Sequence, residues 1–249
     1  MTRIDPASET RSGACAKEMA SGRVVVTLTA YNEEKNIAPV VRQCVDLGYD
    51  VIVVDDGSRD DTAGVAHRHG ARVVRHHRNL GQGYALLTSF RAALELDYDI
   101  VVEMDADGQH DPAEIPLFLP LFLNEQIDIV VGSRILGKTH DDAPFFRRIF
   151  LPHFTTLINV LTGYEMTDAL CGFRAFRATS LRRVAPILAS MLEPQYIAAE
   201  MFIRFSGAGL RVAEVPVVLR NRTSGTSHKG FVRYGLGVLK AILRALATR

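Results

Sequence analysis

Cysteine is scarce in this chain: Cys15, Cys44 and Cys171 are the only three in 249 residues. They are scattered, fit no metal-ligand spacing and leave one unpaired, which excludes a disulfide framework and points to a reducing compartment. An excess of one charge is missing too. The formal net charge is +1, so nothing global attracts nucleic acid and any basic surface must be local. No uncharged apolar run reaches the roughly 20 residues of a transmembrane helix. Residues 1–22 lack the apolar stretch of a signal peptide and read as a disordered tail. No internal repeat and no linker rich in Pro, Gly or Ser marks a second domain. What is present is ordinary for a globular protein, 47% hydrophobic and 23% charged, and long enough for one sizeable core. The expectation is a cytoplasmic protein that meets a membrane, if at all, from one side.

The apolar pattern is that of alternating strands and helices. Val24-Val25-Val26, Val51-Ile52-Val53-Val54, Val73-Val74, Ile100-Val101-Val102 and Ile129-Val130-Val131 are short runs of β-branched residues. Helical segments separate them. Continuous runs, rather than alternation, are expected when helices cover both faces of a parallel sheet. Asn32 is the expected N-cap of the first helix, with Gly48 at its end, and Ser58 with Asp61 forms a capping-box pattern for the second. Asp111 caps a fourth helix that has Pro112 at its first position. Phe145 to Leu161 reads as an apolar helix bent at Pro152, and Phe231 to about Ala247 as the last one. The fold class is therefore α/β, a mostly parallel central sheet flanked by helices. One α/β domain spans 23–230, and a C-terminal amphipathic helix spans 231–249.

In such sheets ligands sit beyond the carboxyl ends of the strands. Two acidic loops fall there: Asp55-Asp56-Gly57-Ser58 and Asp105-Ala106-Asp107-Gly108-Gln109. Asp105, Asp107 and Gln109 place three oxygen donors at alternate positions. A Mg²⁺ or Mn²⁺ ion takes one or two protein carboxylates and completes its shell with water and phosphate oxygens. The first loop offers Asp55 and Asp56 to a base and ribose, with Gly57 allowing close approach. Asn79-Leu80-Gly81-Gln82-Gly83 lacks the Gly-Lys-Ser/Thr ending of a P-loop and reads as a helix start beside the nucleotide. His76 and His77 read as surface residues.

Five motifs in one order carry a resemblance: Ala30-Tyr31-Asn32-Glu33-Glu34, Val53-Val54-Asp55-Asp56-Gly57-Ser58, the Asp105 to Gln109 loop, Thr167-Asp168 with Gly172-Phe173-Arg174, and Glu214-Val215-Pro216-Val217. Together they resemble family 2 glycosyltransferases with a GT-A fold, and within them the polyprenyl-phosphate (dolichyl-phosphate) mannosyltransferases. The resemblance covers nearly everything from Arg23 to Gly230. It implies a metal at Asp105, Asp107 and Gln109, and a nucleoside near Ala30, Tyr31, Glu33, Asp55, Asp56 and Ala106. Arg174, Arg222, Ser227 and either His228 or Lys229 would face phosphates. Thr29 stands where a proline is usual, and Gly225-Thr226-Ser227-His228-Lys229 departs from the usual Gly-x-Ser-Lys.

The expected activity is inverting, metal-dependent transfer of a hexose, mannose first, from a nucleotide diphosphate sugar. GDP-mannose is the favoured donor, a UDP-sugar the other, and polyprenyl phosphate the acceptor. The alternative is a soluble hydroxyl acceptor with Asp168 as general base; a non-catalytic membrane-docking protein is a third reading. A phosphate acceptor needs cations instead of a base, and then Asp168 anchors Arg174. The catalytic set read from sequence is Asp107, Asp168 and Arg174. In the last helix Arg233, Lys240 and Arg244 share one strip beside many apolar residues. That pattern suits a helix lying in an anionic membrane surface, or one packed on the domain or on a membrane partner subunit.

Overall fold

The structure, a computed structural model, describes residues 22–137, 145–191, 194–220 and 231–247, and for 145–150 and 231–234 the backbone alone. Seven strands form one sheet: β1 (Val24–Ala30), β2 (Asp50–Asp55), β3 (Arg72–Arg75), β4 (Ile100–Asp105), β5 (Ile129–Ser133), β6 (Arg174–Arg177) and β7 (Val212–Pro216). Their order is β3-β2-β1-β4-β6-β5-β7. Strands β1, β2, β3 and β4 pair in parallel, as do β5 and β7. Strand β6 runs antiparallel between β4 and β5. The chain winds from β1 outward through β2 to β3, then returns to place β4 on the other side of β1. The carboxyl ends of β1 and β4 thus flank a topological switch point, where ligands of open α/β sheets bind. Thr29 stands opposite Asp105 in that register.

The valine runs are buried as expected, since helices pack on both faces. These are α1 (Ile37–Asp46), α2 (Thr62–Arg68), α3 (Gln82–Glu95), the single turn α4 (Ile115–Phe118), α5 (Phe145–Thr162), α6 (Ala178–Arg183), α7 (Ala185–Ala189), α8 (Ile197–Gly207) and α9 (Phe231–Ala247). Val25, Leu28, Val53, Val101 and Val130 are fully enclosed in one core with Ile37, Phe90, Phe118, Phe173 and Phe202. Burial of this kind contributes about 1.5–3 kcal/mol per large apolar side chain.

Three local expectations are corrected and one holds. Asn32 does not cap α1; it adopts φ +56°, a left-handed conformation that asparagine tolerates. Its backbone N–H donates to the Ser58 hydroxyl oxygen and its side-chain oxygen accepts the Arg59 N–H, 2.9 Å each. Ser58 therefore ties the two loops together instead of capping α2, which starts after Asp61. The fourth helix is broken into a 3₁₀ turn at Pro112–Glu114, α4, and a 3₁₀ turn at Leu119–Leu123. Pro116 and Pro120 supply no N–H to a continuous α-helix, which explains the break. Asp111 does cap that segment, accepting from Ala113 N–H at 3.1 Å.

Candidate active site

A cleft of about 1020 Å³ opens at the carboxyl edge of the sheet, over β1 and β4. One end is lined by Ala30, Tyr31, Glu33, Asp56 and Asn79, its middle by Asp105, Ala106, Asp107, Gln109 and His110, and its far side by Arg134, Gly172 and Arg174. Residues 194–198 and, on α9, Gly237, Val238, Lys240 and Arg244 also line it. The two acidic loops that the strand pattern placed on one edge do meet here.

The middle is built around Asp105, the last residue of β4. Gln82 at the start of α3 donates its amide to Asp105 Oδ1 at 3.1 Å. On the other side a Cβ at Gly172 would lie 2.9 Å from Asp105 Oδ2, so only glycine leaves that carboxylate room. Asp107 accepts the Gln109 N–H at 3.0 Å, and both aspartates stay partly open to the cleft. Gln109 was expected as a third metal donor. Its side-chain amide instead donates to the Arg220 carbonyl at 3.4 Å, while Arg220 N–H donates to the Gln109 carbonyl at 2.8 Å. Gln109 thus straps the loop to the segment after β7. Among the described residues no three His, Cys, Asp or Glu side chains converge on one point to hold an ion. Two carboxylates at the mouth of a cleft still fit a hard divalent cation, provided that a phosphate-bearing ligand completes the shell.

His110 lies beneath this loop, buried and stacked on Phe173 with centroids 5.2 Å apart. Its Nδ1 accepts the Asp105 N–H at 3.3 Å, which is the neutral tautomer. Burial pushes its pKa down to about 4, against the smaller upward pull of Asp105. The sign follows directly. Above the ordinary histidine value near 6.5 both folded and unfolded chains are neutral here. As pH falls below it the unfolded chain takes a proton that the folded one refuses until about pH 4. His110 by itself should withdraw about 3 kcal/mol of stability from the metal-free protein across that window. Urea unfolding of wild type and His110→Phe at pH 7 and pH 4.5 isolates that contribution as the difference between their two pH dependences.

The nucleoside end is corrected in detail. Asp55 and Asp56 were expected to be free for a ligand, but both carboxylates are buried and occupied. Asp55 accepts Ser58 N–H at 2.9 Å and pairs with Arg75 Nε at 3.0 Å. Asp56 accepts Leu80 N–H at 2.9 Å and Gly81 N–H at 2.8 Å, and pairs with His76 Nδ1 at 2.7 Å. His76, expected at the surface, is largely enclosed, with Nε2 3.0 Å from Thr88 Oγ1. Gly57 does permit a close approach, at φ +72°, but to backbone: a Cβ there would meet the Arg78 carbonyl carbon at 2.4 Å. These contacts set the Asn79–Gly81 turn and, through it, the position of Gln82.

The far side differs most. Asp168 is neither a free base nor the anchor of Arg174. It is buried and grips Arg134 in two parallel bonds, Nε to Oδ2 at 2.6 Å and Nη2 to Oδ1 at 2.8 Å. Glu214 on β7 holds that loop, accepting the N–H of Asp168 at 3.0 Å and of Thr167 at 2.8 Å. Arg134, just past β5, is thereby fixed against the cleft. Arg174 lies deeper, paired with Glu103 Oε2 through Nη1 at 3.2 Å. Burial pushes the Glu103 pKa up to about 7, with Arg174 opposing and Asp105 adding to the rise. Sequence reasoning placed Gln82 in a helix start beside the nucleotide but not against Asp105, and it missed Glu103, His110 and Arg134. Of these three only Arg134 carried a usable signal, since it directly follows a strand end. Arg222, Ser227, His228 and Lys229 lie outside the described residues.

Helix α9 packs on α8 and α5 through Val238, Ala241, Ile242 and Ala245. Lys240 and Arg244, expected on a strip turned to a membrane, line the cleft instead. Leu236, Leu239, Leu243 and Leu246 remain exposed. No helix among the described residues is long and apolar enough to cross a membrane.

Comparison with known proteins agrees with this geometry. The sequence profile described as Glycosyl transferase family 2 matches residues 25–185. A UDP-N-acetylglucosamine–dolichyl-phosphate N-acetylglucosaminyltransferase of Methanococcus voltae is 31% identical over 80% of this chain and 86% of its own. Glucosyl-3-phosphoglycerate synthase of Mycobacterium tuberculosis in complex with UDP superposes at TM-score 0.72 and 25% identity, over 99% of this chain and 86% of that one. The same enzyme with Mn²⁺ and UDP-glucose gives 0.68 and 26% identity, over 99% and 85%. These findings correct the expected partners. These two solved structures match nearly the whole chain, hold a uridine nucleotide and belong to an enzyme named for glucosyl-3-phosphoglycerate, so GDP-mannose, polyprenyl phosphate and the membrane surface are not carried forward.

Proposed function

This chain belongs to glycosyl transferase family 2, with a GT-A fold, and from that premise we propose that it moves a hexose from a UDP-sugar to the hydroxyl of a small phosphorylated acceptor. The observation that carries this reading is the placement of Asp105 and Asp107 in one cleft opposite Arg134. Transfer of a sugar from a nucleotide diphosphate sugar needs a place for the diphosphate, a place for the sugar and a place for the acceptor. The cleft has three matching regions. Tyr31, Glu33 and Asn79 line the nucleoside end, Asp105 and Asp107 the diphosphate, and Arg134 with Lys240 and Arg244 the acceptor side.

A divalent cation, Mn²⁺ or Mg²⁺, would be held by Asp105 and Asp107 together with the donor's phosphates, where it would supply Lewis-acid neutralisation of the departing diphosphate. Gln82 keeps the first carboxylate in place for that task, and Gly172 leaves it room. Arg134, oriented by Asp168, presents a planar fork to an anionic group of the acceptor. Asp168 itself has both oxygens committed to that arginine, so the proton released by the acceptor hydroxyl would leave on a phosphate oxygen of the departing diphosphate. Residues 194–198 and α9 line the same cleft. A preorganised charge pattern in such a site stabilises developing charge more than the same charges free in water.

The test is a transfer assay with radiolabelled UDP-glucose and UDP-N-acetylglucosamine, with and without Mn²⁺, against small phosphorylated hydroxy acids. The expected result is a metal-dependent, phosphorylated, water-soluble glycoside. Transfer to polyprenyl phosphate alone, or transfer indifferent to metal, contradicts the reading.

A further inference from the structure

The buried pair at the bottom of the cleft has no part in the functions assigned so far. Glu103 and Arg174 both line the cleft, yet their side chains are only 8% and 3% exposed. Glu103 lies two residues before Asp105 on β4 and on the same face, so it sits about 7 Å deeper along the strand. Arg174 stands directly opposite it on β6. The guanidinium rests over Phe202, 5.5 Å from the ring centroid. Its Nε is enclosed and has no hydrogen-bond partner among the described residues.

Stability does not account for this arrangement. A buried ion pair is commonly no better than well-packed apolar residues of the same volume. An enclosed donor without a partner adds a further cost, and such a donor calls for a specific explanation. Access is built in at the same place. Gly172 presents no side chain beside Asp105, so the cleft continues past the metal-binding carboxylates towards the pair.

We propose that Glu103 and Arg174 form the sugar-reading floor of the donor site, the carboxylate accepting from one hydroxyl of the transferred hexose and the guanidinium donating to its neighbour. This rests on the UDP-sugar reading above and specifies its donor half. Vicinal hydroxyls each donate and accept, and a carboxylate beside a guanidinium offers one partner of each kind. The pair lies on the far side of Asp105 from Tyr31 and Asn79, as a sugar lies on the far side of a diphosphate from its base. The floor also assigns Arg174 a ligand other than the phosphate that the sequence resemblance implied.

Calorimetric titration of UDP and of UDP-glucose, each with Mn²⁺, into wild type, Glu103→Gln and Arg174→Lys tests the floor. The expected result is UDP affinity within about twofold of wild type in both variants, with UDP-glucose weakened by about tenfold or more, as for loss of one charged hydrogen bond. Equal weakening of both ligands would make the pair purely structural, and unchanged UDP-glucose affinity would remove it from the sugar site; either overturns the proposal. Glu103→Gln keeps the side-chain shape, and its melting curve reports any loss of folded protein separately. Wild type that binds neither UDP nor UDP-glucose would instead overturn the donor reading, and the floor with it.

Discussion

Asp107→Ala is expected to lower kcat/KM for sugar transfer on the order of a thousandfold, equivalent to about 4 kcal/mol of lost transition-state stabilisation. The side chain accepts the Gln109 N–H at 3.0 Å and is only half-buried. It is not enclosed in the core, so its removal should cost the fold less than about 1 kcal/mol. The effect should therefore appear in catalysis without a matching drop in melting temperature. It should also be tied to metal. Raising Mn²⁺ should recover part of the loss, because Asp105 remains as one carboxylate ligand. In metal-free buffer, where wild type is already inactive on this account, variant and wild type should converge. A loss of activity that ignored Mn²⁺ concentration would point to a role for Asp107 outside the metal site.

The second large effect separates two roles for one residue. Asp168→Asn keeps the shape but removes the charge that balances Arg134. An enclosed guanidinium left without its carboxylate typically costs about 3–5 kcal/mol. The variant should be destabilised by that order in urea unfolding, and its KM for an anionic acceptor should rise as Arg134 loses orientation. Replacing Arg134 as well, Arg134→Met in the same chain, should return part of the stability, since the unpaired charge is gone. A general base behaves otherwise. Its amide variant would keep near-normal stability, lose about 10²–10⁴-fold in kcat and lose the acidic limb of the pH–rate profile. The bidentate bond at 2.6 and 2.8 Å favours the first pattern.

These two predictions rest on parts of the chain that the sequence reveals unequally. Asp107 is legible because its position is local: a valine run fixes the strand, the strand fixes the edge, and the loop at that edge is acidic. The same logic finds Asp105, the β1 turn at Ala30 and Tyr31, and the parallel half of the sheet. Asp168 is not legible in its role, since its partner Arg134 is 34 residues away and no periodicity connects them. Strand β6 is short, and only tertiary pairing decides that it runs against β4 and β5. Glu103 and His110 look unremarkable in sequence because an isolated acid or histidine gives no sign of being enclosed. Asp55 and Asp56 fail for the opposite reason. Their motif draws attention to the carboxylates as ligands, whereas the folded chain uses both to hold turns, one through Ser58 and one through Leu80, Gly81 and His76. The proline at 116 was visible, yet it sat inside a segment whose cap at Asp111 argued for one helix. The cap and the break are both real.

The central claim is that Asp105 and Asp107 hold a divalent metal jointly with the diphosphate of a UDP-sugar. The most direct measurement is a calorimetric titration of UDP-glucose into the purified protein with Mn²⁺ and again after exhaustive chelation. The account predicts clear binding with metal and at least a tenfold weaker signal without it, because two carboxylates facing an uncompensated diphosphate repel it. Equal affinity in the two conditions, or no binding of UDP-glucose in either, would contradict it.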